Sequence, residues 1–373
     1  MNDELFITCA EHLEPLLCDE LNELRVQGIR PGFRGVYAEK TMDTVYVVNY
    51  LSRLATRVLW PLHEFYCQDR AMLYAQAKKI PWTDYLDEKK TFAIDANVSH
   101  PNLRHSLFAA QVVKDALCDC IREAKGERPS VDIKQPDVQF HLFIHNKRAF
   151  ISLDTSGSPL YKRGWKVKRG EATMPETLAA ALLKKAHYAD EHVLCDPFCG
   201  TGTLLIEAAF CVTRTPSGFL RKTWGFMHMP EYNAQKWENF KQVYDQKRIP
   251  LAPGQIFGAD KDLTELNLCR AHLAKLELVQ QVELVHKEVF MYQSSKTPTL
   301  IVTDPPFGKR LQSSKKIYED FGLFIKRHCT KDTQIFVFAP NDETVEPAGL
   351  AILSRFPFSH GGMDMFLYEL KMP

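Results

Sequence analysis

The sequence predicts an α/β protein with a doubly wound parallel sheet over its second half and smaller α+β units before it. Three observations carry this. From about Glu171 onward, strand-length apolar runs alternate with helical patterns. One such run, residues 193–195, ends in Asp196 and passes through a turn containing Gly200 and Gly202 into the apolar helical pattern 203–211. The first half shows a β-α-β-β-α rhythm of the ferredoxin-like kind instead.

Composition narrows the class. An apolar content of 45% and a charged content of 25% are ordinary for a soluble globular chain. With a net charge of +1, any nucleic-acid footprint must be local. The ten cysteines form no C-x-x-C pair, and Cys118 and Cys120 are too close together for paired zinc knuckles. A reduced setting without a structural metal is expected. The acidic start (Met1 to Leu5) is not a secretory signal, and no apolar run approaches the roughly 20 residues that span a bilayer. The expectation is a cytoplasmic, membrane-free monomer.

Taken in order, residues 5–9 read as a strand and 12–24 as an amphipathic helix with Leu13, Leu17, Leu21 and Leu24 on one face. Gly32 and Gly35 mark a turn, 44–48 (T-V-Y-V-V) a strand, and Leu51 to Leu59 a second helix. A second unit from Glu64 carries a helix at 71–79, a strand at 91–98, a long helix at 107–125 and strands at 131–133, 138–144 and 149–153. His141 and His145 lack paired ligand spacing and read as packing or surface residues. In L-Y-K-R-G-W-K-V-K-R-G (160–170), Lys162, Arg163, Lys166, Lys168 and Arg169 interleave with Tyr161 and Trp165. Such a stretch suits an RNA surface or a solvated linker hairpin. The second half then reads as helix 176–187, strand 193–195, helix 203–211, an aromatic excursion at 213–254, and strands at 256–260, 282–285, 299–303, 334–338, 351–353 and 365–370, with helices at 263–276 and 317–329.

The acids fall at strand ends. Asp196 lies in the glycine turn, Asp260 ends the second strand and Glu288 follows the third. Without a G-x-x-x-x-G-K-[ST] element, they describe a nucleoside-shaped ligand with no phosphate anchor. The fourth strand runs into Asp304-Pro305-Pro306-Phe307-Gly308. Its prolines remove backbone donors and stiffen the turn. Asp304 and the Pro305 carbonyl would be two acceptors for an exocyclic NH₂, Asp304 could also receive the released proton, and Phe307 could stack on a base.

D-P-F-C-G-T-G-T, G-A-D-K-D (258–262) and D-P-P-F-G resemble a class I S-adenosylmethionine-dependent amino methyltransferase. L-Y-K-R-G-W-K and M-P-E-T-L-A-A-A-L-L (174–183) look like the bacterial THUMP-containing guanine-N2 RNA methyltransferases. F-I-T-C-A-E-H-L-E-P-L-L-C-D-E-L, N-Y-L-S-R-L-A-T-R-V-L and P-S-G-F-L-R-K-T-W-G-F (216–226) are similar to that family's N-terminal ferredoxin-like domain and its insertion. The resemblance implies a ferredoxin-like domain at 1–63, a THUMP RNA-binding domain at 64–157, a basic linker at 158–172 and a Rossmann-like class I methyltransferase domain with a seven-stranded sheet at 173–373.

It further implies S-adenosylmethionine contacts from Pro175, Glu176, Thr177, Asp196, Pro197, Gly200, Gly202, Thr203, Asp260, Lys261, Glu288, Val289 and Asp304. Asp304, Pro305, Pro306 and Phe307 would hold the guanine, and Lys162, Arg163, Lys166, Lys168, Arg169, Lys309 and Arg310 the RNA. The large-subunit rRNA enzymes more often read N-P-P-Y-G; D-x-P-F-G followed by Lys309 and Arg310 is closer to THUMP enzymes that modify tRNA. The N-terminal half is similar to the rRNA type, so 23S rRNA is the expected substrate and tRNA the alternative. The chain closes soon after its last strand, so a second methyltransferase domain and a second activity are not expected. Two other readings remain: a non-catalytic RNA-binding or ribosome-assembly protein, and methylation of another amine such as adenine N6 or a protein glutamine.

Overall fold

A computed structural model describes residues 4–99, 105–167, 173–293, 295–307 and 314–373. The chain forms two compact units: residues 1–9, 17–160 and 221–243 in the first, and 10–16, 161–220 and 244–373 in the second.

The first unit opens with β1 (Glu4–Thr8), α1 (Glu14–Glu23), β2 (Arg30–Gly32), β3 (Gly35–Glu39), α2 (Met42–Leu51) and β4 (Arg57–Tyr66). β1 lies between β3 and β4 and is antiparallel to both, with Leu5 and Ile7 buried. Next come α3 (Arg70–Ala77), β5 (Thr91–Ser99), α4 (Ser106–Lys125), β6 (Ser130–Val131), β7 (Val138–His145) and β8 (Arg148–Asp154). β4 also pairs antiparallel with β8, so one eight-stranded sheet runs β2-β3-β1-β4-β8-β7-β5-β6. The expected division at 63/64 falls inside β4, the strand through which the two halves of this sheet join. His141 is a packing residue here. Its Nε2 lies 3.2 Å from Oδ2 of the buried Asp154, which also pairs with Arg57. Burial pushes the Asp154 carboxyl up, but His141, Arg57 and the Ser156 amide outweigh it and hold the acid below its usual range.

Residues 44–48 are not a strand. They lie in α2, and the helix expected from Leu51 to Leu59 is a turn leading into β4. Thr41 caps α2 by accepting the Thr44 N–H at 3.1 Å. Val45, Val48 and Asn49, at helical spacing, are all fully buried. The Asn49 amide donates to the Thr155 hydroxyl at 2.9 Å. Tertiary burial and a cap override the β preference of T-V-Y-V-V.

The second unit holds α5 (Glu176–Lys185), β9 (Leu194–Asp196) and α6 (Thr203–Val212). After the excursion that carries α7 (Ala234–Asp245) come β10 (Ile256–Asp260), α8 (Leu263–Lys275), β11 (Val282–His286), β12 (Leu300–Thr303), α9 (Ser314–His328), β13 (Gln334–Ala339), α10 (Asp342–Val345), β14 (Ala351–His360) and β15 (Met363–Lys371). The sheet runs β11-β10-β9-β12-β13-β15-β14, with the first five strands parallel and β15 antiparallel to both its neighbours. β9 and β12 are buried throughout, as central parallel strands require. The strand order reverses between them, which opens a crevice beyond their carboxyl ends. Among the described residues no helix is long and apolar enough to cross a membrane.

Residues 221–243 lie within the second half of the sequence but belong to the first unit. Trp224, Phe226, Trp237 and Phe240 form a ring cluster with Tyr46 and Tyr50 of α2, with centroids 5.1 Å apart for Tyr46–Phe226 and 5.4 Å for Tyr50–Trp237. Arg221 donates to the carbonyls of Ser156 at 2.8 Å and Pro159 at 3.0 Å and covers the Trp224 ring. Truncating Trp237 to alanine removes the centre of this cluster and is expected to cost about 3–5 kcal/mol. Urea unfolding together with hydrogen exchange at α2 measures it; unchanged α2 protection would refute the role of the cluster.

Candidate active site

The glycine turn is held from two strands. Asp196 Oδ1 at the end of β9 accepts the Phe198 N–H at 3.1 Å and the Thr303 hydroxyl of β12 at 2.6 Å. Gly200 N–H donates to Asp260 Oδ2 at 2.9 Å, while Asp260 Oδ1 accepts the Asp262 N–H at 2.8 Å. Asp260 therefore ties the turn to the end of β10. Both glycines are left-handed, at φ +52° for Gly200 and +82° for Gly202, and each is needed for a different reason. A Cβ on Gly202 would lie 2.3 Å from Cys269 Sγ, so packing against α8 excludes it. A Cβ on Gly200 would meet nothing within 4 Å, so that glycine leaves open space at the turn.

Two of the basic residues before α5, Arg163 and Lys166, turn inward instead of lining the expected RNA surface. Arg163 is 1% exposed, with Nε 3.4 Å from Oε1 of the buried Glu207 on α6. Lys166 donates to the Met174 carbonyl at 3.0 Å and lies 3.3 Å from Oε2 of Glu176, which is also buried. Burial raises the Glu176 carboxyl, and Lys166 opposes that rise. Two acids inside the helical layer require cations, and the stretch supplies them. Lys162 is exposed, and Lys168 and Arg169 lie outside the described residues.

Trp165 is fully buried and meets His272 of α8 edge-on at 5.2 Å, and His272 Nδ1 donates to the Thr201 carbonyl in the glycine turn at 3.1 Å. Lys275 donates to the Gly164 carbonyl at 2.7 Å. This brace under the turn escaped the sequence reading, and its one sequence signal was a histidine within the amphipathic pattern of α8.

Beyond β12, Pro305 is buried, Pro306 exposed and Phe307 half-buried. Asp304 Oδ1 is buried and has no hydrogen-bond partner among the described residues. Burial, and secondarily the charge of Asp196, pushes the Asp304 carboxyl up to about 7. Asp196 is also pushed up to about 7, chiefly by burial, against the bonds from Thr303 and Phe198. The Thr203 hydroxyl, at the first turn of α6, is likewise buried without a partner among the described residues. Pro197 and Thr177 are buried, and Pro175 is half-buried beside Glu176. Glu288 is exposed past the end of β11, Val289 is buried, and the exposed Lys261 accepts His286 Nε2 at its carbonyl. Lys309 and Arg310 lie outside the described residues. Asp196, Gly200, Asp260 and Asp304 thus share the carboxyl ends of β9, β10 and β12.

The raised carboxyls set a pH signature. Between about pH 4, where aspartate ionises in the unfolded chain, and about 7, the folded protein keeps protons that the unfolded chain has lost. Each group therefore lowers stability as pH rises through that window, by up to about 1.4 kcal/mol per pH unit. Denaturant unfolding at pH 5 and pH 7 is expected to show a shallower fall for Asp304→Asn than for the unaltered chain. Equal slopes would show that Asp304 ionises normally.

The RMKL-like methyltransferase domain family matches residues 163–360, the THUMP domain 68–154 and the RlmL ferredoxin-like domain 4–59. The first match begins at Arg163, inside the stretch expected to be a linker. Ribosomal RNA large subunit methyltransferase K/L of Syntrophotalea carbinolica is 32% identical over 99% of this chain and 53% of its own length. A Synechocystis sp. protein provisionally named RNA methyltransferase slr0064 is 31% identical over 98% of this chain and 96% of its own. The chain spans about half the length of the K/L relatives it matches. The crystal structure of SMU.472 complexed with SAH superposes with a TM-score of 0.88 at 20% identity, covering 99% of this chain and 98% of that one, and shares the fold. A seven-stranded sheet with this order, a glycine turn tied to two strand-end acids and these matches along the chain make the protein a member of the RMKL-like methyltransferase family, with THUMP and RlmL-type ferredoxin-like domains ahead of its methyltransferase-family domain.

Proposed function

We propose that the protein transfers a methyl group from S-adenosylmethionine to the exocyclic N2 of a guanine in RNA, with large-subunit rRNA as substrate. The observation that carries this reading is Asp304 at the end of β12, whose Oδ1 is buried and has no partner among the described residues, across the strand-order reversal from the glycine turn. The residues fit the cofactor: Gly200 leaves open space, the Thr203 hydroxyl is buried with no partner among the described residues, and Asp260 keeps lone pairs beyond the two amides it already binds. That cofactor supplies an electrophilic methyl on a sulfonium.

The chain's own residues do the rest. Asp304 and the Pro305 carbonyl each accept an N–H of the amine and fix its orientation. As the nitrogen is alkylated, Asp304 takes the proton it releases, so the ionised form is the working base. Phe307 offers a ring face to the extruded base. The THUMP region and the exposed Lys162 would hold the RNA. A match that extends through the ferredoxin-like domain favours rRNA, and the D-P-P-F-G turn keeps tRNA as the second reading. We place the enzyme in the cytoplasm, in keeping with K/L relatives named for ribosomal RNA, and propose that it acts as a monomer.

Asp304→Ala is expected to lower labelled-methyl transfer to RNA by about 10²-fold or more, while calorimetry shows cofactor affinity within about threefold. Retained transfer would remove Asp304 from the chemistry. Nucleoside analysis of the product should give N2-methylguanosine; N6-methyladenosine, or no methylated nucleoside at all, would overturn the proposed reaction. Transfer by the unaltered enzyme should also rise with pH through about 7, opposite in sense to its stability, because the base must be ionised.

A further inference from the structure

Asp304 is not the only unpartnered polar group in this core. Tyr318 of α9 is 1% exposed, and its hydroxyl is buried with no hydrogen-bond partner among the described residues. Buried tyrosine hydroxyls ordinarily find a partner, so an orphan one calls for a reason. Its place in the fold supplies it. Tyr318 belongs to the core cluster that includes Ile301 of β12 and Val337 and Ala339 of β13. Thr303 pairs with Val337, so Ala339 lies two residues further along β13, on the side where β12 gives way to Asp304 and Pro305. Burial, and then the charge of Asp304, disfavours ionisation of the Tyr318 phenol, so the two groups sense each other. Tyr368 of β15 faces the same cluster, but its hydroxyl already donates to Asp342 Oδ1 at 2.7 Å.

We propose that Tyr318 is the positioning residue for Asp304, its hydroxyl donating through one bridging water to Oδ1. The proposal rests on the methyltransferase reading above. An aspartate that orients an amine must hold one rotamer and must also keep enough basicity to take a proton. A lysine or arginine beside it would fix it but depress its basicity strongly, whereas a neutral phenol fixes it and favours the carboxylate only moderately. The charged and titratable neighbours agree. Asp196 of β9 acts on Asp304, Asp260 of β10 acts on Asp196, and Tyr318 senses Asp304 and Tyr368; none of these is a cation.

The test uses the full chain and Tyr318→Phe, with Tyr368→Phe as control. Titration of ¹³C-labelled aspartate carboxyls, with Asp304 assigned through Asp304→Asn, should show Asp304 titrating about one pH unit higher in Tyr318→Phe and unmoved in Tyr368→Phe. Methyl transfer should then fall about tenfold at pH 6.5 and stay within about twofold at pH 9, with KM for RNA unchanged. Replacing Tyr318 with 3,5-difluorotyrosine, a stronger donor of nearly the same shape, should move the titration the other way and keeps the test open should the phenylalanine variant not fold. An Asp304 titration that neither substitution moves overturns the proposal even if the unaltered enzyme methylates RNA. A titration that moves in a chain that methylates no RNA sustains the pairing and overturns the functional reading alone.

Discussion

The second unit depends on a side-chain bond where its two central strands part. β9 and β12 pair through Leu194–Leu300 and Cys195–Ile301, and the ladder stops there. Beyond it the Thr303 hydroxyl donates to Asp196 Oδ1 at 2.6 Å and carries the link past the last backbone pair. A bond to a buried carboxylate is among the stronger neutral–ionic hydrogen bonds. Here it fixes the separation of the two strand ends from which the glycine turn and the Asp304 turn depart. The rest of the site is built on that spacing: Asp260 pins the turn from one side, His272 braces it from beneath, and Asp304 leaves β12 one residue after Thr303.

What could be read from the sequence was what is encoded locally. The strand–glycine–helix order at 193–211 and the stiff D-P-P-F turn are set by residues adjacent in the chain, and the parallel sheet followed from buried runs such as Leu300–Thr303. The misses are positions where distant residues decide. The run at 44–48 has the composition of a strand but folds as α2, because its buried face meets rings from residues 224–240, almost two hundred positions later. The stretch at 160–170 has the composition of an RNA-binding hairpin, yet Arg163 and Lys166 answer Glu207 and Glu176 on helices that follow. Charge pattern alone cannot tell a cation that faces solvent from one that neutralises a buried acid. The candidate acids themselves were legible, because strand-end position is a local property. That Asp260 also holds the glycine turn was not.

The treatment of buried acids in this unit separates framework from chemistry. Glu207 on α6 and Glu176 on α5 are each given a cation. Asp196 receives a hydroxyl and an amide but no cation, and Asp304 receives no protein partner for Oδ1 among the described residues. Paired with a cation, Asp304 would be a poorer proton acceptor. Without a partner for Oδ1 among the described residues, it is pushed up to about 7, at a cost in stability. Among the described residues, Arg163 and Lys166 ahead of α5 pair with the acids of the helices around the crevice, and no cation pairs with Asp196 or Asp304 within it.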